Sequence, residues 1–484
     1  MSTLIATPLR VMECFAGVGG FRLGLEGIGT EQYPRRDDFK VVYSNQFEPS
    51  TRRQHASEVY QARFGGEGHS NEDIFSVVAD PAKFAAILAA RPDMLVGGFP
   101  CQDYSVAKPA DKAAGIEGKK GVLWWAIHDT LKKLADAGQP VKYVLLENVD
   151  RLLKSPTKCR GRDFAIILTS LASLGYAVEW RVINAADYGF PQRRKRVFIM
   201  AHHPSTETYS RVEAKCRDGE AGRWLTGSAI LAAALPVDRS IMTGVTTFEL
   251  GADVLRTQAE YQASAKGASR FANAGVMVGG QVWTSNLHAS PISDFSAFVG
   301  TSAAVTLGDV VGRTISVPES YYLSAESLAR WRYLKGGKSA ERVTTAGFAY
   351  TYSEGPVTFP DDLAKPSRTV ITGEGGSSAS RFKHVIATPD GRLRRLTPEE
   401  LEELNGFPRG FTALDGVSDV KRAFIMGNAL VVGVVAAIGC ALSIQVGALR
   451  QPECKEDAKR EHPPRTDQPW IFTFDSGQIP FSTW

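Results

Sequence analysis

Cys101 follows Gly97-Gly98-Phe99-Pro100, and these follow Asp93-Met94-Leu95-Val96, an apolar run of the length and composition of a strand buried on both faces. The glycines are expected to turn that strand into a loop, and Pro100 fixes the backbone before the cysteine, which aims the sulfur. Glu147 closes a second apolar run, residues 141–146, and Asn148-Val149 follow it. Arg194 and Arg196 occupy alternate positions leading into a third, residues 196–200, so they face one way. A thiolate, a carboxyl and guanidinium groups at strand ends can together add sulfur to an electron-poor ring carbon while a ring nitrogen is protonated and charge on a ring oxygen is neutralised. Basic neighbours would lower the thiol pKa. Each residue alone also has a plainer reading. A lone cysteine is more often a small buried hydrophobe, a carboxylate at a strand end often caps a helix, and a basic run often lines a solvated edge.

The elements that must position these residues follow a βα rhythm. Residues 9–15 read as a strand, Ala16-Gly17-Val18-Gly19-Gly20-Phe21 as a glycine turn, and a helix begins near Arg22. Strand, glycine turn and helix open a nucleotide-binding unit, because glycine lets ligand approach the backbone and the helix start supplies free amides. The spacing is not GxGxxG and no GK[ST] follows, so a dinucleotide or triphosphate is not indicated, and a nucleoside cofactor without phosphates remains. A second strand, residues 39–45, ends at Gln46-Phe47-Glu48, polar and aromatic groups suited to a ribose and an adenine face. Asp73-Ile74 precede a helix over 81–90. Residues 103–120 form a basic, glycine-rich loop suited to closing over an anionic substrate. Helices are expected over 121–137 and 163–174 and a strand over 178–183.

From His202 to about Lys383 the rhythm disappears, and short β-like runs alternate with Gly, Ser, Thr and Pro. Residues 201–390 hold 18 Lys+Arg and 18 Asp+Glu, so a bulk positive field is not what this segment offers. Thr397-Pro398-Glu399-Glu400 restarts helix with a capping box, and residues 423–447 read as one buried helix. Its uncharged portion, 429–444, is short of the roughly 20 residues that span a membrane. The tail, 451–484, is aromatic and expected to dock on the body or on a partner.

At 484 residues, with 43 % hydrophobic and 22 % charged, the chain is of ordinary globular type, which excludes disordered and fibrous classes. Its net charge of +4 says nothing firm about partners. The six cysteines have no CxxC pair, which argues against a metal site or disulfide framework and suits a reducing cytoplasm, and residues 1–11 lack the pattern of a signal peptide.

Carbon 5 of cytosine is a poor nucleophile, but a thiolate added at carbon 6 makes it an enamine able to attack an electrophilic methyl. Six ordered stretches carry the resemblance that fits this chemistry: FAGVGGFRLGLE, GGFPCQDYS, ENV, PQRRKRVF, RRLTPEE with NGFP, and GNAL. Over residues 9–203 and 392–446 the chain resembles the cytosine-5 DNA methyltransferases. The resemblance implies an α/β fold with a Rossmann-like doubly wound sheet and a smaller, mostly irregular or β target-recognition lobe. Its implied domains are 1–203 for catalysis and cofactor, 204–411 for recognition, 412–450 for a C-terminal helix returning to the first domain, and the tail. S-adenosylmethionine is the implied cofactor and double-stranded DNA the implied substrate. A separate restriction endonuclease, a monomeric state and no membrane contact go with it. By motif match Cys101 is the nucleophile, Glu147 the acid, and Arg194 and Arg196 contact the flipped base or its phosphate. Phe15, Ala16, Gly17, Gly19, Gly20, Gln46, Phe47, Asp73, Ile74, Pro100, Leu123, Asn428 and Ala429 would surround the cofactor, and Gln102, Ser105 and Gln192 would meet DNA. Gln46 departs from the family's usual glutamate, and Ala126 from a commonly acidic position. Transfer RNA as substrate, a catalytically inactive DNA-binding relative and a thiol redox protein are the alternatives, the last disfavoured by the missing resolving cysteine.

Overall fold

The computed structural model describes residues 7–99, 123–156, 159–240, 244–263, 268–343 and 349–449. Pro100, Cys101, Gln102, Ser105, the basic loop and the tail lie outside the described residues. Ten strands form one sheet: β1 Leu9–Cys14, β2 Phe39–Asn45, β3 His69–Ser70, β4 Met94–Gly98, β5 Tyr143–Val149, β6 Ala177–Asn184, β7 Lys195–His202, β8 Thr246–Glu249, β9 Ala274–Val278 and β10 Gln281–Ser285. Their order is β3-β2-β1-β4-β5-β7-β6-β9-β10-β8. Pairing is parallel from β3 to β5 and antiparallel beyond. The winding reverses between β1 and β4, and ligands of open α/β sheets bind outside the carboxyl ends at such a point.

The central strands are largely apolar on both faces because alternate residues feed two cores. Val11, Val96 and Leu145 pack on the face covered by the helix Val432–Leu449. Met12, Leu95 and Leu146 pack on the other, with Trp124 and Leu131 of Leu123–Asp136 and Phe164 of Arg162–Ser173. Full burial of each such side chain contributes roughly 1.5–3 kcal/mol. Gly97 and Gly98 remain inside β4 rather than ending it. A Cβ on Gly97 would lie 2.8 Å from the carbonyl oxygen of Cys14, so only glycine lets β1 and β4 approach there.

Residues 246–285 form β8 to β10, which pair on at the β6 edge and extend the main sheet. The rhythm vanishes because antiparallel neighbours need only a tight turn, here Gly279-Gly280, where parallel ones need a crossover helix. The same stretch also carries helices Glu207–Arg217 and Val254–Ala263. Beyond it lie a helix, Ala325–Lys335, and two hairpins, β11 Lys338–Val343 with β12 Ala349–Glu354 and β13 Val385–Ala387 with β14 Leu393–Arg395. Thr397 and Glu400 form the capping box of Pro398–Leu404. The single helix expected over 423–447 is two, Asp419–Asn428 and Val432–Leu449, separated at an extended Ala429.

Glu13 and Glu179 are carboxyls buried inside the sheet. Glu13 accepts from Tyr60 Oη at 3.1 Å, and Glu179 accepts from Trp224 Nε1 at 3.0 Å and Leu231 N at 3.1 Å. Burial pushes both up to about 7 from 4.5. Between those values the folded chain keeps protons that the unfolded chain has released, so stability falls as pH rises through the window, by on the order of 3 kcal/mol per group. Glu13→Gln and Glu179→Gln should each flatten the decline of the urea midpoint between pH 5 and pH 8, and an unchanged slope in both would assign it to other groups.

Candidate active site

Gly98 pairs with Glu147 across β4 and β5, and a Cβ on Gly98 would lie only 3.4 Å from Glu147 Oε2. One carboxylate oxygen therefore points at the strand end that leads, three residues on, to Cys101. The other, Oε1, is 2.7 Å from Arg196 Nε, with the two side chains 12 % and 17 % exposed. Arg196 sits opposite Val149 in the β5/β7 ladder, so it lies diagonally from Glu147 on the same face. Asn148 projects to the other face, where its Nδ2 donates to Phe99 O at 2.8 Å. The end of β5 thus presents a carboxyl on one side and fastens the backbone before Pro100 on the other. Asn148 was not singled out from sequence, although a buried amide after an apolar run was a visible signal.

Two residues assigned to ligand contact are occupied elsewhere. Arg194 is 3 % exposed and donates to Val370 O and Gly427 O, both at 3.0 Å. Burial, with Arg196 adding to it and Glu147 opposing, lowers its pKa to about 9. It precedes β7 and is covered by the segments around Val370 and Gly427. Gln192, expected at DNA, is fully buried: Nε2 donates to Leu404 O at 3.0 Å and Asn405 Oδ1 at 2.8 Å, and Oε1 accepts from Val370 N at 2.9 Å. Both residues join β7, the segment around Val370 and the stretches NGFP and GNAL.

The glycine turn after β1 forms a second cluster beside the first. Phe15 and Gly17 take positive φ, 53° and 56°, and Ala16 N donates to Asn45 O at 2.9 Å. Gly17 N donates to Gln46 Oε1 at 2.7 Å, and open space lies where a Cβ on Gly17 would be. Gly19 packs against Phe64, and Gly20 against Leu430 and Phe407. Phe47 and Leu123 are half-buried and Ile74 is buried. Asp73 is exposed and caps the helix Ile74–Ala79 through Phe75 N at 3.0 Å. Asn428 is exposed, and Ala429 lies in the break between the last two helices. Glu48 is half-buried, and its backbone N–H donates to Gln54 Oε1 at 2.7 Å. Asn45, also missed, donates from Nδ2 to Glu72 O at 2.9 Å and so fixes the backbone before Asp73.

Residues 9–232 and 285–443 match the family described as C-5 cytosine-specific DNA methylase. The chain belongs to that family. It is 39 % identical over 432 residues to the Type II methyltransferase M.Sau3AI of Staphylococcus aureus, a match covering 89 % of this chain and 94 % of that protein. It is 34 % identical over 200 residues to the Type II methyltransferase M.NgoBI of Neisseria gonorrhoeae, covering 41 % of this chain and 52 % of that protein. In fold it is similar to the S. pombe Dnmt2 methyltransferase, with a TM-score of 0.52 at 14 % identity over 92 % of this chain and 100 % of that one. The methylase transfers a methyl group to carbon 5 of cytosine in DNA.

In this methylase Gln192 and Arg194 tie β7 to the segments around Val370, Leu404 and Gly427. Gln192→Ala would leave Val370 N and the acceptors at Leu404 and Asn405 unpaired in the interior, at about 2–4 kcal/mol. The variant should unfold at lower urea while its relative rates on different DNA sites stay as in the parent. Retained stability with lost DNA affinity would restore the DNA-contact role.

Proposed function

We propose that the methylase modifies cytosine in a specific double-stranded sequence through a covalent bond from Cys101 to carbon 6, as the modification half of a restriction-modification pair, acting as a cytoplasmic monomer. The observation that supports this most is the pairing of Gly98 with Glu147, one carboxylate oxygen directed toward the strand that leads to Cys101 and the other held by Arg196. A target cytosine must leave the duplex stack to reach these groups, at a cost of a few kcal/mol. The Cys101 thiolate then adds to carbon 6, and the electron pair displaced toward the ring nitrogen is met by a proton from Glu147. Arg196 fixes the rotamer of Glu147, and Asn148 fixes the backbone at Phe99. S-adenosylmethionine, when bound, supplies an electrophilic methyl to carbon 5. A base at the site takes the carbon 5 proton, the sulfur leaves as thiolate, and the ring nitrogen returns its proton to the Glu147 carboxylate, which restores the ring. The family match and the Type II relatives favour DNA over transfer RNA as substrate.

The residues around the glycine turn fit an adenosine-type cofactor. The turn opens at Gly17, Phe47 and Ile74 offer apolar surface for a purine, and Gln46 offers an amide for a ribose. Gln46 Oε1 already accepts from Gly17, which leaves its Nε2 hydrogens to donate to a ribose hydroxyl.

DNA bearing 5-fluorocytosine at the target should be trapped as an adduct, because fluorine cannot leave as a proton does. Trapping by Cys101→Ala would overturn the nucleophile. Glu147→Gln should bind DNA and lose roughly 10²–10⁴-fold in turnover, the range of a positioned acid. Undiminished turnover would remove Glu147 from the chemistry.

Gln46→Glu should bind S-adenosylmethionine as well as the parent or tighter, since a carboxylate can serve Gly17 N and a hydroxyl with charge-assisted bonds. Gln46→Ala should bind about tenfold more weakly, from a lost hydrogen bond and an unpaired Gly17 amide. In calorimetric titration, a larger loss in Glu48→Ala than in Gln46→Ala would transfer the ribose contact to Glu48.

A further inference from the structure

Residues 233–284, outside the segments that match the family, carry the sheet onward past β6. The antiparallel register puts the start of β9, the end of β10 and the start of β8 on the same edge as the end of β5, where Glu147 stands. On that edge a cavity of about 560 Å³ opens between this extension and the turn Asp150–Lys154 that directly follows β5. Lys154, Arg160 and Arg270 line it, with Thr246, Ser269 and Asn286, and no carboxylate is among the lining residues. All three basic side chains belong to exposed residues. Three cations without a lining carboxylate make the cavity basic in a chain that holds 56 Lys+Arg against 52 Asp+Glu.

The walls are built rather than draped. The Arg270 guanidinium lies 3.9 Å from the centroid of the Phe248 ring, which fixes its plane. Ser269 Oγ donates to Leu153 O, tying the extension to the turn after β5. Phe271 is 4 % exposed and packs edge-on against Phe164 and Trp180 of the main core. With strands about 4.8 Å apart, β9 lies roughly 14 Å and β8 roughly 24 Å from β5. A duplex that delivers a cytosine to Glu147 and lies along this edge, with a phosphate about every 3.4 Å on each strand, passes the cavity about four to seven base pairs from the target.

We propose that the cavity lined by Lys154, Arg160 and Arg270 binds backbone phosphates of the DNA outside the recognition sequence, on one flank of the target cytosine. The proposal rests on the reading of the chain as a DNA enzyme and adds a second anchoring point to it. Guanidinium groups suit the site because they bind phosphate oxygens in pairs, and such contacts give affinity without sequence choice.

The test uses the full chain and two duplexes containing the methylated sequence, one ending about two base pairs beyond it and one about ten base pairs longer on each side. Binding is measured between about 50 and 200 mM salt, where each phosphate contact adds about 0.9 to the slope of log K against log salt. Lys154→Ala/Arg160→Ala should lower the slope on the long duplex by about two and leave the short duplex unchanged in affinity and methylation rate. Adding Arg270→Ala should lower it by about one more. The same reduction should appear on a long duplex lacking the recognition sequence. An unchanged slope on the long duplex overturns the proposal, as does an equal loss on the short one, which would put these cations inside the recognition contact. Failure of the parent protein to methylate either duplex would instead overturn the enzyme reading, and is seen before any variant is made.

Discussion

A carboxyl that ends a strand buried on both faces must be neutral or held by a cation, since an unpaired charge there is too costly to keep. Glu147 is held by Arg196, and that contact depends on the register of β5 with β7. Val197 to Ala201 are all buried and apolar, so the usual alternation of inward and outward residues cannot choose the register of β7. The polar groups at its start do so instead. A slip by one residue would turn Arg196 to the opposite face, strand Glu147, and pull Arg194 and Gln192 from their carbonyls. The pair that arms the site is therefore one of the constraints that aligns the sheet around it.

This also explains what the sequence could and could not reveal about the site. Residue types at strand ends were legible, because apolar runs of strand length bracket Glu147 and Arg196 and a period of two puts Arg194 on the same side as Arg196. The partner of each guanidinium was not. Arg196 finds a neighbour one strand away, whereas Arg194 precedes β7 and is capped by Val370 and Gly427, 176 and 233 residues distant in sequence. Nothing local to the basic run distinguishes a guanidinium facing a ligand from one bridging two carbonyls. The partners of Gln192 were hidden for the same reason, lying at Val370, Leu404 and Asn405.

The sheet extension was illegible for a different reason. β8, β9 and β10 are four or five residues long, and β8 is exposed at three of its four positions. Strands that short carry too little alternation to stand out from loop, and their pairing with β6 is a tertiary fact. β6 itself was readable as a strand, and its apolar Val178, Trp180 and Val182 make a poor open edge. An edge of that composition requires a cover, and the residues after β7 were the nearest chain able to supply one.

The break between the last two helices shows how a rule about periodicity can succeed on burial and fail on continuity. Residues 429–444 are uncharged and the helix there packs against Gly20–Glu26 and Ile230–Ala234, so reading it as interior was sound. Helix continuity fails because two contacts compete with it. Gly427 lies so close to Thr372 that a Cβ would come within 2.2 Å of its backbone nitrogen, and its carbonyl accepts from Arg194. Three residues later Leu430 must reach the glycine turn, where its Cγ would sit 3.2 Å from a Cβ on Gly20. A straight helix would carry Leu430 around the axis from Gly427 by about 300°, fixing its direction relative to Arg194 instead of leaving it free to seat on Gly20. The extended Ala429 releases that restraint, and the helix Val432–Leu449 closes over the turn that follows β1.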